Sequence, residues 1–294
     1  MIGIGLKVER DNLDKVVNKK PKNKKKRIVI ISIVLAVFFL FCLINNNILV
    51  VSEYEYSNPK IPKAFDGFTI VQISDLHNKE YPFDQKYLMN KIEDSNPDII
   101  VITGDIVDSS HTDMDGALEF ARKCVELAPT YYITGNHEYW ISKTDLEGLI
   151  SSLEEMGVIC LEDECVSLKQ GDANINLIGL DEKSLADGTL KNMMLDIGSE
   201  DFNILLAHEP QYIDDYARND VDLVLSGHAH GGQVRLPFVG GLFAPDQGFM
   251  PSYTEGEYTV GNTTMIVSRG IGNSVIPLRV FNLPEIVVIK LKSN

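Results

Sequence analysis

Short apolar runs that alternate with amphipathic segments constrain the fold of residues 48–294 more than any other feature of the sequence. The runs are rich in Val and Ile and read FTIVQIS, DIIVITG, TYYITG, INLIGL, FNILLA, VDLVLSG, TMIVS and EIVVIKL. Because they are mostly apolar on both faces, they predict strands that are buried on both sides of a sheet. An earlier run, ILVVSEYEY, is interpreted as the first strand.

Helical patterns lie between several of these runs. Residues 113–128 place apolar side chains at three- and four-residue spacing, which is typical of a helix with one buried face. Residues 144–156 begin with Thr144 and Glu147, whose spacing matches a capping box. The alternation predicts one α/β layered domain with parallel strands at its centre. The last third of the chain lacks helical patterns, so added antiparallel strands are expected there.

The charged residues divide the chain into two regions. Residues 1–27 contain ten Lys or Arg and three Asp or Glu, although the whole chain carries a formal net charge of −15. The region after residue 27 is therefore strongly acidic. An acidic domain is a poor non-specific binder of nucleic acid, so no nucleic-acid partner is expected.

An uncharged apolar segment, residues 28–44, follows the basic region. Its length is at the lower end of what spans a bilayer, about 17–25 residues. No Ala-x-Ala cleavage site follows it, which disfavours a signal peptide; a buried core helix is the alternative. Because basic flanks stay in the cytoplasm, we expect a cytoplasmic tail (1–27), a single-pass anchor (28–44) and an extracytoplasmic domain (48–294) in the cell membrane.

Polar side chains follow the ends of five apolar runs, the place where α/β sheets bind their ligands. A lone His there is more often structural than a ligand, but five of the six histidines of this chain share that place. The sixth, His111, lies in a polar loop and is expected at the surface. The candidate residues are Asp75, His77, Asp105, Asp108, Asn136, His137, Glu138, His208, His228 and His230.

The types of side chain in this set indicate a metal site. Imidazole and carboxylate groups without a thiolate suit divalent ions such as Mn, Fe and Zn. Four histidines, two aspartates and one asparagine are too many ligands for one tetrahedral ion. They fit two ions that share a carboxylate, an arrangement that serves displacement at phosphorus.

The candidate residues form separate motifs in one order: Asp-x-His, Gly-Asp-x-x-Asp, Gly-Asn-His-Glu, a single His and Gly-His-x-His. This order, from Asp75 to His230, resembles the calcineurin-like metallophosphoesterase family. The resemblance implies two packed mixed β-sheets flanked by helices, an αββα sandwich, with metals at one sheet edge. SGHAHGGQVRLP and SRGIGNSVIPLRVFNLPEI are similar to a bacterial branch of membrane-associated phosphodiesterases related to UDP-2,3-diacylglucosamine pyrophosphatase-type enzymes.

The resemblance also implies a role for each site residue. The first ion would be held by Asp75, His77, Asp105 and His230, and the second by Asn136, His208 and His228 together with Asp105. His137 would protonate the leaving oxygen, while Asp108 and Glu138 would support the ligands by hydrogen bonds. Arg235 and Arg269 either grip phosphate oxygens or are ordinary ion-paired arginines.

The expected activity is hydrolysis of a phosphodiester at the cell envelope by a hydroxide that bridges two divalent ions, with Mn²⁺ favoured. The substrate is expected to be related to an envelope lipid or a nucleotide sugar. A phosphomonoesterase acting on proteins or small molecules is the alternative. A non-catalytic envelope binding protein is a third interpretation, which the complete ligand set disfavours.

Two cysteines leave a structural question open. Cys160 and Cys165 flank LEDE, which is interpreted as a hairpin loop. In an oxidising compartment a disulfide between them is one alternative, and two free thiols are the other.

Overall fold

The structure, a computed structural model, describes residues 24–81, 85–273 and 278–294. The described residues fall into two compact units, one that ends at Leu43 and one that spans Ile44–Asn294. The described helices are α1 (Lys24–Asn47), α2 (Lys86–Asp94), α3 (Met114–Leu127), α4 (Asn136–Trp140), α5 (Lys143–Glu155), α6 (Thr189–Ile197) and α7 (Ile213–Arg218). The described strands are β1 (Val50–Asn58), β2 (Thr69–Ile73), β3 (Ile99–Thr103), β4 (Thr130–Ile133), β5 (Ile159–Cys160), β6 (Glu164–Gln170), β7 (Ala173–Gly179), β8 (Asn203–Leu206), β9 (Leu223–Ser226), β10 (Arg235–Leu236), β11 (Gly240–Gly241), β12 (Phe243–Ala244), β13 (Gly248–Phe249), β14 (Gly256–Val260), β15 (Thr263–Val267) and β16 (Glu285–Ser293).

Helix α1 contains the apolar segment and is long and apolar enough to cross a membrane by length and composition. At a rise of 1.5 Å per residue, its 24 residues extend about 36 Å, more than the ~30 Å hydrocarbon core of a bilayer. Its Ile, Val, Leu and Phe side chains point outward on every side, and Phe39, for example, is 64% exposed. A helix that is apolar all round needs an apolar environment.

One six-stranded sheet has the order β1-β16-β2-β3-β4-β5. Strands β2, β3, β4 and β5 are parallel. The C-terminal strand β16 lies between β1 and β2, parallel to the former and antiparallel to the latter. Because β2 to β5 run the same way, the loops that follow their carboxyl ends lie at one edge.

A second six-stranded sheet has the order β14-β15-β9-β8-β7-β6. Strands β15, β9, β8 and β7 are parallel, and antiparallel strands β14 and β6 close its two sides. Its parallel centre again brings the loops after β8 and β9 together. The two sheets are mixed, as expected for the αββα sandwich.

The main core lies between the two sheets and has a helical layer on either side of it. Residues alternate between layers along each strand: Ile70 packs in the core between the sheets, and Val71 packs under α3 and α5. On the outer face of the second sheet, Leu190 of α6 and Tyr216 of α7 pack in a third apolar cluster. This period of two explains why the strand sequences are apolar throughout.

The last third of the chain differs from the expectation of added antiparallel strands. Strand β15 joins β9 in parallel register, and β16 pairs with β1 in parallel. That third also contains the short helix α7. The prediction is therefore confirmed in part, because β14 pairs with β15, and β16 with β2, in antiparallel register. The two parallel pairings were missed because strand direction depends on long connections rather than on the local pattern of turn residues.

The start of α5 also differs from the expectation. Ser142, and not Thr144, is the N-cap, because its hydroxyl accepts a hydrogen bond from the Asp145 backbone N–H at 3.1 Å. Thr144 lies within the first turn. The helix therefore begins one residue earlier than predicted, since an exposed Ser directly preceding it satisfies a free N–H group.

Cys160 and Cys165 are free thiols, so the structure has no disulfide between them. Cys160 lies on β5 of the first sheet, whereas Cys165 lies on β6 of the second sheet. Burial raises the pKa of the Cys160 thiol to about 12, which keeps it protonated and unreactive.

Candidate metal centre

The residues predicted as metal ligands meet where the carboxyl ends of five parallel strands converge. The first sheet contributes the residues after β2, β3 and β4, and the second sheet contributes those after β8 and β9. All of these side chains are buried: Asp75, His77, Asp105, Asn136, His208, His228 and His230. The structure therefore brings together every residue that the motifs suggested as a ligand.

A first group contains Asp75, His77, Asp105 and His230, with one ligand atom from each lying within 4.8 Å of all the others. His77 Nε2 lies 3.4 Å from Asp105 Oδ2. His230 Nε2 lies 3.3 Å from Asp75 Oδ1 and 3.1 Å from His77 Nε2. Two carboxylates and two imidazole nitrogens thus converge on one point.

A second group contains Asp105, His208 and His228, which satisfy the same 4.8 Å criterion. His208 Nε2 lies 3.4 Å from Asp105 Oδ2. Asn136 Oδ1 is directed into this group, 2.9 Å from His228 Nδ1 and 3.2 Å from His208 Nε2. Asp105 belongs to both groups and is therefore the carboxylate that they share.

Hydrogen bonds on the far side of two rings direct their free nitrogens into the second group. His208 donates its Nδ1–H to the carbonyl oxygen of Thr103 at 2.8 Å, which leaves Nε2 facing Asp105. His228 donates its Nε2–H to Asp246 Oδ2 at 2.9 Å, which leaves Nδ1 facing Asn136. Metal-binding histidines are oriented in this way, so the donors fit divalent ions.

Charge and burial further define the donor groups. Burial alone would raise the pKa of Asp105, but the charge and hydrogen bond of His208 hold it well below the usual value. Burial alone would lower the pKa of His208, but Asp105 raises it well above the usual value. Burial lowers the pKa of both His77 and His230, which favours the neutral rings that can bind a metal.

The backbone of the ligand loops adopts the left-handed conformation at most ligand positions. Positive φ values occur at Asp75 (50°), His77 (45°), Asp105 (52°), His228 (63°) and His230 (47°). For residues other than glycine this conformation costs about 1–2 kcal/mol each. Such strain is concentrated at functional sites, where the surrounding fold holds the chain in place.

Glu138 joins two of the ligand loops. Its buried carboxylate accepts hydrogen bonds from the backbone N–H groups of Gly135 (2.7 Å), Asp105 (2.9 Å), Ile106 (2.8 Å) and Val107 (3.3 Å). Burial and the charge of Asp105 raise the pKa of Glu138 to about 8, although the Gly135 and Asp105 hydrogen bonds oppose this. Glu138 therefore fixes the backbone of the loop that carries Asp105.

Asp108 caps the loop that follows β3. Its Oδ1 accepts a hydrogen bond from the Ser110 backbone N–H at 2.7 Å, and its Oδ2 lies 4.0 Å from His77 Nδ1. Asp108 is half-buried at the margin of the site, whereas His111 of the same loop is exposed.

His137 lies beside the first group, but its Nδ1 faces the backbone of Ser109 and not the other donor atoms. Its ring centroid is 4.4 Å from that of His77 and 4.7 Å from that of Trp140. Its Nδ1 accepts a hydrogen bond from the Ser109 backbone N–H at 3.1 Å. In the neutral ring, Nε2 therefore carries the hydrogen and is available as a proton donor.

Arg235 and Arg269 are both engaged in ion pairs. Arg235 pairs with Glu255 and donates to the Gly231 carbonyl oxygen at 2.7 Å. Arg269 pairs with Glu255 at 3.2 Å and with Glu285 at 3.0 Å. Both arginines are thus ion-paired, and their contact with phosphate oxygens stays a prediction.

Two acidic residues near the site were not predicted from the sequence. Asp246 contacts His228, and Glu209 Oε1 lies 4.0 Å from the same His228 Nε2. Glu209 directly follows His208 and could have been found from that adjacency. Asp246 lies in a loop 18 residues beyond His228, where no local pattern marks it.

Comparisons with known proteins agree with this geometry. The family model for calcineurin-like phosphoesterases matches residues 68–232. The chain is 35% identical over 252 residues to the uncharacterized metallophosphoesterase YkuE of Bacillus subtilis (strain 168), covering 84% of this chain and 87% of that protein. It is 29% identical to a transmembrane protein with metallophosphoesterase domain of Danio rerio, covering 82% of this chain and 57% of that protein.

Among solved structures, the phosphopantetheinyl hydrolase of Mycobacterium tuberculosis is similar in fold. The match has a TM-score of 0.46 and 11% identity, and covers 70% of this chain and 91% of that one. The family model covers more than half of the chain and contains every motif of the metal centre. The chain belongs to the calcineurin-like phosphoesterase family.

Proposed function

We propose that this metal-dependent phosphoesterase is a phosphodiesterase that works with two divalent ions, Mn²⁺ in preference, at the extracytoplasmic face of a membrane. The observation that carries the proposal is the shared position of Asp105 between two converging donor groups. Asp75, His77 and His230 would complete the first ion's ligands, and Asn136, His208 and His228 the second ion's. When bound, such a pair activates water and neutralises charge on the phosphoryl oxygens.

His137 is proposed as the proton donor to the leaving oxygen. Its Nδ1 is occupied by the Ser109 N–H, so Nε2–H is the group left for a substrate. Its own backbone N–H donates to Asp105 Oδ1 at 2.9 Å, which ties its place to that of the shared carboxylate. Trp140 lies beside the ring, with the two ring planes tilted by 43°.

Charge near the site favours a diester over a monoester. A phosphodiester carries less negative charge than a phosphomonoester, so it needs fewer cations and tolerates acidic neighbours better. Glu209 and Asp246 flank His228 on one side of the site. The nearby Arg235 and Arg269 are neutralised by glutamates. These features support the diester but leave the monoester as the alternative that the assay below tests.

The location is proposed from helix α1 and the sequence around it. By the positive-inside rule, the basic residues up to Arg27 favour a cytoplasmic tail, and the catalytic domain would then lie outside. The Danio rerio relative is itself named as a transmembrane protein. An envelope lipid phosphodiester or a nucleotide-sugar-related compound, as in the UDP-2,3-diacylglucosamine pyrophosphatase-type branch, is the substrate class we propose.

The activity is tested with the full chain in detergent and Mn²⁺, by comparing bis-p-nitrophenyl phosphate with p-nitrophenyl phosphate. We expect a higher kcat/KM for the diester and loss of activity in Asp105→Asn. His137→Gln is expected to lower kcat by about 100-fold to 10,000-fold, the usual contribution of acid–base catalysis. The exposed His111→Gln is the matched control and should retain activity. Faster hydrolysis of the monoester, or full activity of Asp105→Asn, would contradict the proposal.

A further inference from the structure

Six large apolar side chains are exposed on one short stretch of the domain. We call this set the apolar rim: Leu236, Phe238, Val239, Phe243, Phe249 and Met250. Phe238 is completely exposed and Phe249 is 73% exposed. Monomeric soluble proteins rarely place such groups together in water, and their presence indicates an interaction surface.

The apolar rim is formed by two small hairpins. Strands β10 and β11 pair antiparallel, and residues 237–239 form the turn between them. In the second hairpin, β12 and β13, Phe243 lies directly opposite Phe249. Because directly paired residues point to the same face of a sheet, these two phenyl rings are neighbours on one surface.

The hairpins are built on the loop that carries His228 and His230. The Leu242 N–H is shared between the Gly232 carbonyl oxygen at 3.2 Å and the Val234 carbonyl oxygen at 2.9 Å. Asp246, in the turn of the second hairpin, accepts the His228 hydrogen bond described above. The apolar rim is therefore adjacent to the metal centre.

We propose that the apolar rim inserts into the surface of a lipid bilayer and holds the metal centre at the depth of lipid headgroups. The proposal rests on the proposed function and deepens it, because it makes the substrate a phosphodiester that is embedded in the membrane. Exposed aromatic and aliphatic side chains gain free energy on entering the acyl boundary, and a site beside them then faces the phosphate layer.

Charge identifies a bilayer as the occupant. Between Leu236 and Phe249 the only charged side chain is Asp246, and it is hydrogen-bonded to His228. The Asp246 side chain is 63% exposed, but this stretch carries no other charge, so little charge has to be desolvated when the apolar rim enters an apolar phase. The segment also lacks free basic residues, so binding should depend on apolar insertion and should not require anionic lipids.

The covalent link between the domain and α1 is a second reason to propose a bilayer as the occupant. Helix α1 ends at Asn47 and strand β1 begins at Val50, so very little chain separates the apolar helix from the domain. A bilayer that contains α1 is thus always present at high effective concentration near the domain, and a modest apolar surface is sufficient to engage it.

Fluorescence quenching in vesicles tests the proposal. The full chain is reconstituted into phosphatidylcholine vesicles with brominated acyl chains, in a Trp140→Phe background that removes the single Trp. Phe249→Trp is the reporter in the apolar rim, and Phe243→Trp is a second reporter in case the first does not fold. The matched control is Tyr87→Trp. Tyr87 is an exposed aromatic residue on α2, which packs on the first sheet.

The reporters in the apolar rim are expected to lose most of their emission relative to vesicles without bromine, and the Tyr87→Trp control is expected to keep it. Equal quenching of both, or no quenching at position 249 or 243, would overturn the proposal. Disulfide cross-linking between two chains carrying Phe249→Cys, without quenching, would assign the surface to a second copy instead.

Hydrolysis of bis-p-nitrophenyl phosphate by the unsubstituted chain in the same vesicles separates the two proposals. An active chain whose reporters are not quenched contradicts membrane insertion alone. An inactive chain whose reporters are quenched contradicts the proposed enzymatic function alone.

Discussion

Asp105 is the residue on which both donor groups depend, and its neighbours hold it in place. Its backbone has a φ of 52°, and its N–H donates to Glu138. Its Oδ1 accepts the His137 backbone N–H. A Cβ on Gly135 would collide with the Asp105 carboxylate, so only glycine leaves the space that this side chain needs. Glu138 is accordingly a positioning residue that acts through Asp105.

Replacing Glu138 with Gln should weaken metal binding more than it weakens folding. The amide nitrogen of Gln cannot accept hydrogen bonds, so at least one pair of backbone N–H groups loses its acceptor. We expect the apparent Kd for Mn²⁺ to rise by about 10-fold to 100-fold, as for other residues behind metal ligands. Isothermal titration of the metal-free protein with Mn²⁺ measures this.

The control for this prediction is Glu147→Gln, an exposed glutamate on α5 that pairs with Lys143. It should bind Mn²⁺ like the unsubstituted protein. A Glu138→Gln variant with an unchanged Kd would show that the loop after β3 holds its conformation without this carboxylate.

At the scale of elements, the connection from β15 to β16 closes over the first donor group. The backbone N–H of Gly272 donates to the Asp75 carbonyl oxygen at 2.7 Å, and that of Ile271 donates to Ser74 at 3.1 Å. Arg279, buried in this connection, donates to the carbonyl oxygens of Gly272 (3.1 Å) and Arg269 (2.9 Å). Burial lowers the pKa of Arg279 to about 10, so it stays charged at neutral pH.

Replacing Arg279 with Met should destabilise the domain. The substitution keeps an apolar stem but leaves the carbonyl oxygens of Gly272 and Arg269 without their donor. Hydrogen bonds to a charged group are worth about 1.5–3 kcal/mol, so we expect the free energy of unfolding to fall by about 3 kcal/mol. Urea unfolding of the full chain in detergent measures the change, and Mn²⁺ affinity should fall with it.

Arg218→Met on α7 is the comparison for this substitution. Its side chain is 69% exposed and makes an ion pair with Asp215. Exposed pairs contribute about 1 kcal/mol or less, so this variant should unfold nearly as the original does. Similar effects of both substitutions would argue against a special role for the buried arginine.

For the whole molecule, the metal centre is the place where the two sheets are joined through polar groups. The first sheet contributes Asp75, His77, Asp105 and Asn136, and the second contributes His208, His228 and His230. Most of the remaining contact between the sheets is apolar, with a buried hydrogen bond from Gln72 Nε2 of β2 to the Ser226 carbonyl oxygen of β9 at 2.9 Å as one exception. A bound ion would therefore connect the two layers, because each donor group contains residues from both.

Removal of metal should lower the thermal stability of the domain. One ion at about a hundred times its Kd stabilises a folded protein by about 2.7 kcal/mol, which is roughly 5–10 °C in Tm for a domain of this size. Differential scanning calorimetry with chelator and then with excess Mn²⁺ measures this. The gain on adding Mn²⁺ should be much smaller in Asp105→Asn, whereas an equal gain would place the stabilising ion elsewhere.

Much of the fold and of the candidate site could be predicted from the sequence because their signals are local. Apolar runs report burial on both faces, and the residues just past each run report the sheet edge. The same local signal missed the parallel pairing of β15 with β9 and of β16 with β1, and it missed the N-cap of α5. The relative direction of a strand depends on which strand it pairs with in the sheet. The N-cap of a helix depends on the hydrogen bonds of a single turn.

The sequence by itself determined which side chains are available for metal binding and that strands and helices alternate. Only the tertiary structure decided that Arg235 is paired with Glu255 and that Asp246 orients His228. These partners are far apart in the chain or lie in loops without periodicity. Their contacts arise from the packing of two sheets, and periodicity reports only whether a residue is buried, not which residue it meets.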